Sequence, residues 1–77
     1  SSSTQLYDGV AVSYSDILPG DIINWGYNNG VSTHSALYVG NGKMIHAANP
    51  SMGVIISDVG YWLSASGTQI IGVRRIN

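Results

Sequence analysis

His34-Ser35-Ala36-Leu37-Tyr38-Val39-Gly40-Asn41-Gly42-Lys43-Met44-Ile45-His46-Ala47-Ala48 is the stretch that decides how this chain folds. Apolar residues alternate with small or polar ones on both sides of a Gly-Asn-Gly centre, the pattern of two antiparallel strands and their turn. The same stretch holds the 2 histidines of the chain, side chains that ordinarily titrate near neutral pH.

Where those histidines point depends on the length of the turn. Strand side chains alternate faces, so a slip of one residue moves a side chain to the other face. A two-residue turn at Asn41-Gly42 would pair Gly40 with Lys43 and set the rings on opposite faces. A three-residue loop, Gly40-Asn41-Gly42, would pair Val39 with Lys43, Ala36 with His46 and His34 with Ala48. The imidazoles would then be diagonal neighbours on one face, with backbones roughly 7–8 Å apart. A three-residue loop closed by a left-handed glycine is a common solution, and Ala36 and Ala48 would leave room above the sheet for two rings and a third group. The shared face is therefore the expected arrangement. Two histidines in a hairpin also suit a purely structural, half-buried role, and the residues alone leave both readings open.

Working outward, Leu18-Pro19-Gly20-Asp21 is turn chemistry that delivers the chain into Ile22-Ile23-Asn24-Trp25. Val54-Ile55-Ile56-Ser57 is a β-branched run, and residues 69–76 supply another strand rich in Ile and Val. Strands are thus expected over 22–25, 34–39, 43–48, 54–57 and 69–76, with Asp58 capping a single helical turn through Leu63. Residues 1–16 show no sustained period and read as a connector, with Gln5-Leu6-Tyr7 as the end of a helix lying upstream. The expected fold is mainly β, a small antiparallel five-stranded barrel-like or rolled sheet with one short helical turn. Neither an internal repeat nor a second domain is visible, so residues 1–77 form a single unit.

Composition narrows the function. Charged residues are 9% of 77, the formal net charge is −1, and the basic residues number 3, too few for a nucleic-acid footprint. No apolar stretch approaches the roughly 20 residues needed to span a bilayer. With 0 cysteines, disulfides, thiolate metal sites and a cysteine nucleophile within these residues are excluded. A zinc site would need a third ligand beside His34 and His46, and none is recognisably spaced. Gly40 and Gly42 serve a turn and not a phosphate loop, since no GK[ST] follows, so no metal or cofactor is expected. The Ser/Asn/Gly-rich, lysine-poor composition leans towards an extracellular protein. Trp25, Tyr61 and Trp62 read as core or groove wall, Arg74 and Arg75 as facing solvent and the barrel end respectively, and Asp21 as a capping or pairing group.

Taken in order, Leu18-Pro19-Gly20-Asp21-Ile22, the hairpin from Ser32 through Ala47, and Ile71-Gly72-Val73-Arg74-Arg75-Ile76 resemble the NlpC family of papain-like cell-wall peptidases over most of the chain. That family has a "LxPGDL" turn, an "SHVGIYxGNGxMIHA" hairpin and a closing "GARRI"-like strand. The resemblance implies the C-terminal β half of an α+β papain-like fold, a partial domain. It implies that His34 is the catalytic base, exchanging a proton between a thiol and a leaving amine, and that His46 orients it. The family's cysteine opens a helix in a "DCSG" motif upstream, and Ser1 to Ser3 do not stand in for it. The implied partners are a peptidoglycan stem peptide, cut at a γ-D-glutamyl-diamino acid bond, and an upstream cysteine-bearing helical segment of the same domain, without which this chain is expected to be inactive. That helix would pack over an apolar groove on the histidine face. A secreted or cell-wall location follows from the same resemblance. The competing reading is a non-catalytic wall-binding or interaction module on the same β platform.

Overall fold

The computed structural model describes residues 9–76. Six strands form one sheet: β1 (Val10–Val12), β2 (Ile22–Gly26), β3 (Ser32–Gly40), β4 (Lys43–Asn49), β5 (Gly53–Asp58) and β6 (Gln69–Arg75), with a 3-10 turn at Tyr14–Asp16 and one helix, α1 (Val59–Ala65). Every pairing is antiparallel and the spatial order is β1-β6-β2-β3-β4-β5. The sheet is mainly β and antiparallel as expected, but it is open and not barrel-like. Closure would require β1 to meet β5, and these strands instead lie at opposite edges.

The sixth strand, β1, falls in the stretch read as a connector. Three residues are too few to show a period, and β1 exists through its partner: Val10, Ala11 and Val12 pair with Arg75, Arg74 and Val73. The helix end expected at Gln5-Leu6-Tyr7 lies outside the described residues.

The β3–β4 hairpin differs from the expected one in a way that preserves its outcome. Gly40 pairs directly with Lys43, so the turn has two residues, Asn41 and Gly42, both with positive φ (55° and 72°) as a type I′ turn requires. Val39 is then left over as a bulge, and beyond it Tyr38 pairs with Met44 and Leu37 with Ile45. This is the offset that a three-residue loop would have produced. The bulge restores what the shorter turn removes, and His34 and His46 share a face.

That face carries the core. Ile23 and Trp25 of β2, Ala36 and Tyr38 of β3 and Met44 of β4 are buried together with Val59 of α1, and Ile17, Trp62 and Ile70 pack against them. The side chains of this cluster are buried. The exposed apolar row is on the other face, where Leu37 pairs with Ile45 and Ile45 with Ile56, and Leu37 and Ile56 are 39% and 64% exposed.

Two fastenings hold the histidine strands. Val59 at the start of α1 donates its N–H to the Gly42 carbonyl (2.8 Å), tying the helix to the hairpin turn. Asp58 is at the N-cap position, but its carboxylate pairs with Lys43 and makes no capping hydrogen bond, and the helix runs to Ala65, beyond the single turn expected. The second fastening is the Pro19-Gly20 turn, where Gly20 N–H bonds the Tyr38 carbonyl (2.9 Å) and Tyr38 N–H bonds the Asp21 carbonyl (2.9 Å). The Asp21 side chain is buried and accepts from Leu18 N–H (2.9 Å) and, in a two-pronged grip, from Arg75 Nε (2.9 Å) and Nη2 (2.8 Å). Asp21 is thus a pairing group, and Arg75 is its partner across the sheet.

Candidate active site

His34 on β3 and His46 on β4 meet as diagonal neighbours. His34 Nε2 lies 2.7 Å from His46 Nδ1, and the ring centroids are 4.9 Å apart at an interplanar angle of 74°. The second nitrogen of His46, Nε2, lies 2.8 Å from Ser57 Oγ on β5. Three adjacent strands therefore contribute one side chain each to a continuous chain of hydrogen bonds, and the β3–β4 and β4–β5 registers set its geometry. His34 Nδ1, at the other end, makes no hydrogen bond among the described residues.

Trp62 of α1 covers this chain. Its ring stacks on His34 at 5.4 Å and 29° and meets His46 edge-on at 4.5 Å and 82°. His46 is 3% exposed, while His34 is only partly buried. Burial holds both imidazoles below their ordinary pKa of 6.5, and for His46 the charge of His34 adds to the effect. Both rings are neutral at neutral pH. A neutral imidazole with one nitrogen hydrogen-bonded is held in a defined orientation, and its other nitrogen can accept a proton only where it carries no hydrogen.

The structure brings together both histidines singled out in the sequence. Asp21 and Arg75 are engaged with each other elsewhere. Two members of the assembly were not assigned to it from sequence. In the sequence Ser57 is only the end of a β-branched run, although its hydroxyl breaks that run's apolar character. Trp62 was read as core or groove wall, and it touches both imidazoles. Among the described residues, no group of three or more His, Asp or Glu side chains is placed to hold a metal ion.

An open groove of about 570 Å³ is lined by Tyr27, Asn28, Asn29, Leu63, Thr68 and Gln69, and neither histidine nor Ser57 is among its walls. Along the chain it is next to the site, since Gly26 on its wall follows Trp25, the cross-strand partner of His34, and Leu63 follows Trp62. Its polar groups are carboxamides and hydroxyls, with no charged side chain among them.

Comparison with known proteins gives this geometry a family. The NlpC/P60 family profile matches residues 1–71. Over 74 residues the chain is 45% identical to gamma-DL-glutamyl hydrolase of Bacillus subtilis (strain 168), a match that covers 88% of this chain and 17% of that protein. A crystal structure of an NlpC/P60 family protein from Bacillus cereus matches with a TM-score of 0.81 at 30% identity, covering 96% of this chain and 24% of the other. The peptidoglycan hydrolase RipB from Mycobacterium tuberculosis matches with a TM-score of 0.75 at 32% identity, covering 97% and 34% respectively. The chain spans about a sixth of the curated relative and no more than about a third of either structure. The matching profile, the identity to a hydrolase and the shared architecture place this chain in the NlpC/P60 family.

Proposed function

We propose that this chain is the histidine-bearing part of a thiol hydrolase that cleaves γ-D-glutamyl amide bonds in peptidoglycan stem peptides at the cell wall, the thiol coming from a segment outside these 77 residues. The observation that carries the reading is the 2.7 Å contact between His34 Nε2 and His46 Nδ1, which supports assigning the other nitrogen of His34, Nδ1, as the base. The reaction follows from that nitrogen. His34 Nδ1 takes the thiol proton, and the thiolate attacks the amide carbonyl. The tetrahedral intermediate collapses to a thioester as His34 returns the proton to the departing amine. Water, deprotonated by the same nitrogen, then attacks the thioester, and the thiol regains its proton as the acid leaves. His46 orients His34 throughout and stabilises its charged form. The uncharged groove reached one residue beyond Trp25 and Trp62 along the chain is assigned to such a substrate, rich in amide groups that its carboxamides and hydroxyls can meet with hydrogen bonds.

The test is complementation. The chain is mixed with an expressed segment carrying a "DCSG" helix, and hydrolysis of a γ-D-glutamyl-diamino acid peptide is followed. The expected result is turnover by the mixture and none by the chain alone, with His34→Ala removing about 10²–10⁴-fold of the rate and His46→Ala also lowering it strongly. Turnover by the chain alone that survives His34→Ala would overturn the reading. An inert mixture, with binding of wall fragments that is indifferent to His34→Ala, would replace it with the wall-binding module.

A further inference from the structure

A neutral imidazole carries one hydrogen on its two nitrogens, so a chain of two imidazoles closed by a hydroxyl has only two self-consistent arrangements. In one, Ser57 donates to His46 Nε2, His46 donates from Nδ1 to His34 Nε2, and the hydrogen of His34 sits on Nδ1. His34 then presents a donor to the open side and cannot act as a base. In the other, every bond is reversed. His34 donates from Nε2 to His46 Nδ1, His46 donates from Nε2 to Ser57 Oγ, and His34 Nδ1 carries a lone pair. The distances of 2.7 Å and 2.8 Å accommodate either direction.

Two features favour the second arrangement. Ser57 is the freest of the three: it lies on the edge strand β5, is only partly buried and can turn its own hydrogen to water, whereas His46 is 3% exposed. Protonation also distinguishes the two. When His34 takes a proton on Nδ1 in the second arrangement, every other hydrogen stays where it is. In the first, the added proton goes to Nε2, facing the Nδ1–H of His46, and the bond between the rings breaks.

We propose that Ser57 is the terminal hydrogen-bond acceptor of a His34–His46–Ser57 relay and is a positioning residue that fixes His34 in the tautomer able to take a proton. This rests on the reading of His34 as the base. Ser57 never touches the substrate and acts through His46, while Trp62 shields the relay from competing water. The same logic governs metal-bound and triad histidines, where the partner on one nitrogen dictates the state of the other.

The experiment is imidazole nitrogen NMR on the ¹⁵N-histidine-labelled 77-residue chain, at a pH where both rings are neutral. Both histidines are expected as Nε2–H tautomers. Ser57→Ala should shift a substantial share of both to Nδ1–H, and Ser57→Thr should restore the original spectrum. In the mixture with the thiol-bearing segment, Ser57→Ala should lower kcat roughly tenfold, the rate equivalent of one hydrogen bond, with KM unchanged and with rescue by Ser57→Thr. An Nδ1–H hydrogen on His34 in the unsubstituted chain, or tautomers indifferent to Ser57→Ala, would overturn the relay. The expected tautomers in a mixture that hydrolyses nothing would uphold the relay and remove the hydrolase reading instead.

Discussion

Replacing Trp62 with alanine uncovers both imidazoles at once, and the structure allows the effect to be worked out on two scales. Trp62 makes two ring contacts, with His34 at 5.4 Å and with His46 at 4.5 Å. Aromatic pairs of this kind contribute about 0.5–1.5 kcal/mol each beyond burial, so the two together contribute about 1–3 kcal/mol. The buried surface of a half-covered indole adds to this. Against it stands the Trp62 indole N–H, which is buried without an acceptor, a penalty of about 1–3 kcal/mol that the substitution relieves. The ring contacts and the orphaned N–H offset each other, so the net loss is that of the buried surface, about half of what a fully buried tryptophan loses on truncation, or about 2 kcal/mol, a large part of the roughly 4–12 kcal/mol expected for a domain of this length. On the second scale, water reaching the rings should raise the pKa of both histidines towards 6.5, since burial is the leading cause of their depression. Trp62→Phe keeps a ring and removes the orphaned N–H, so it should lose less stability and raise the pKa values less. Urea unfolding measures the first quantity, and histidine ring NMR over a pH series measures the second. If Trp62→Ala unfolds more easily while both histidines titrate as before, Trp62 is not what dries the site, and its assigned role fails.

Further outcomes are expected. Because both imidazoles titrate below 6.5 when folded, the unfolded chain binds more protons just below that pH. Stability should therefore fall as pH drops from about 6.5 through the lowered folded values and then level off, a slope that His46→Gln should flatten in urea midpoints. Asp21 acts in a separate window: held low first by its hydrogen bond to Arg75, it withdraws its contribution only as pH falls below 3.8 through its folded value. Gly60 lies in α1 with nothing within 4 Å of where a Cβ would stand, so Gly60→Ala should stabilise by about 0.5–1 kcal/mol in thermal unfolding. Gly26→Ala should destabilise, because its Cβ would fall 2.2 Å from the Val31 carbonyl oxygen. Met44 is fully buried at the centre of the core, and Met44→Ala should cost about 2–5 kcal/mol in urea unfolding, a loss below about 1 kcal/mol arguing against the packing described.

What could be read from the residues was whatever local alternation and turn chemistry control. The hairpin and its two histidines follow from a period of two around Gly40-Asn41-Gly42, whereas their common face was expected from a three-residue loop and comes instead from a two-residue turn with a bulge. The bulge at Val39 was not legible, because Gly-Asn-Gly supports either loop. The side chains decide between them, since Met44 and His46 must both reach the core face. β1 was hidden for a different reason: its three residues have no pattern of their own and become a strand when β6 offers an edge. Whether a sheet closes is likewise settled by distant strands and not by any segment. Asp58 shows a local rule outcompeted, its carboxylate drawn to Lys43 while the Gly42 carbonyl receives the first helical N–H. Ser57 and Trp62 became members of the site only once the β4–β5 register and the path of α1 placed them against His46.

The bulge at Val39 makes the tip of the hairpin answerable for chemistry it never touches. Turn and bulge together form a counting device: one residue fewer in the first is balanced by one extra in the second, and parity at His46 depends on the total. A loop grafted between Tyr38 and Met44 can be long or short, rigid or floppy, provided its count keeps His46 facing the same way as His34. An odd change left unbalanced would turn Met44 outward, bring Lys43 towards the core and separate the two rings, with both histidines still present in the sequence. Any redesign of this turn should be judged first by arithmetic and only afterwards by the residues chosen for it.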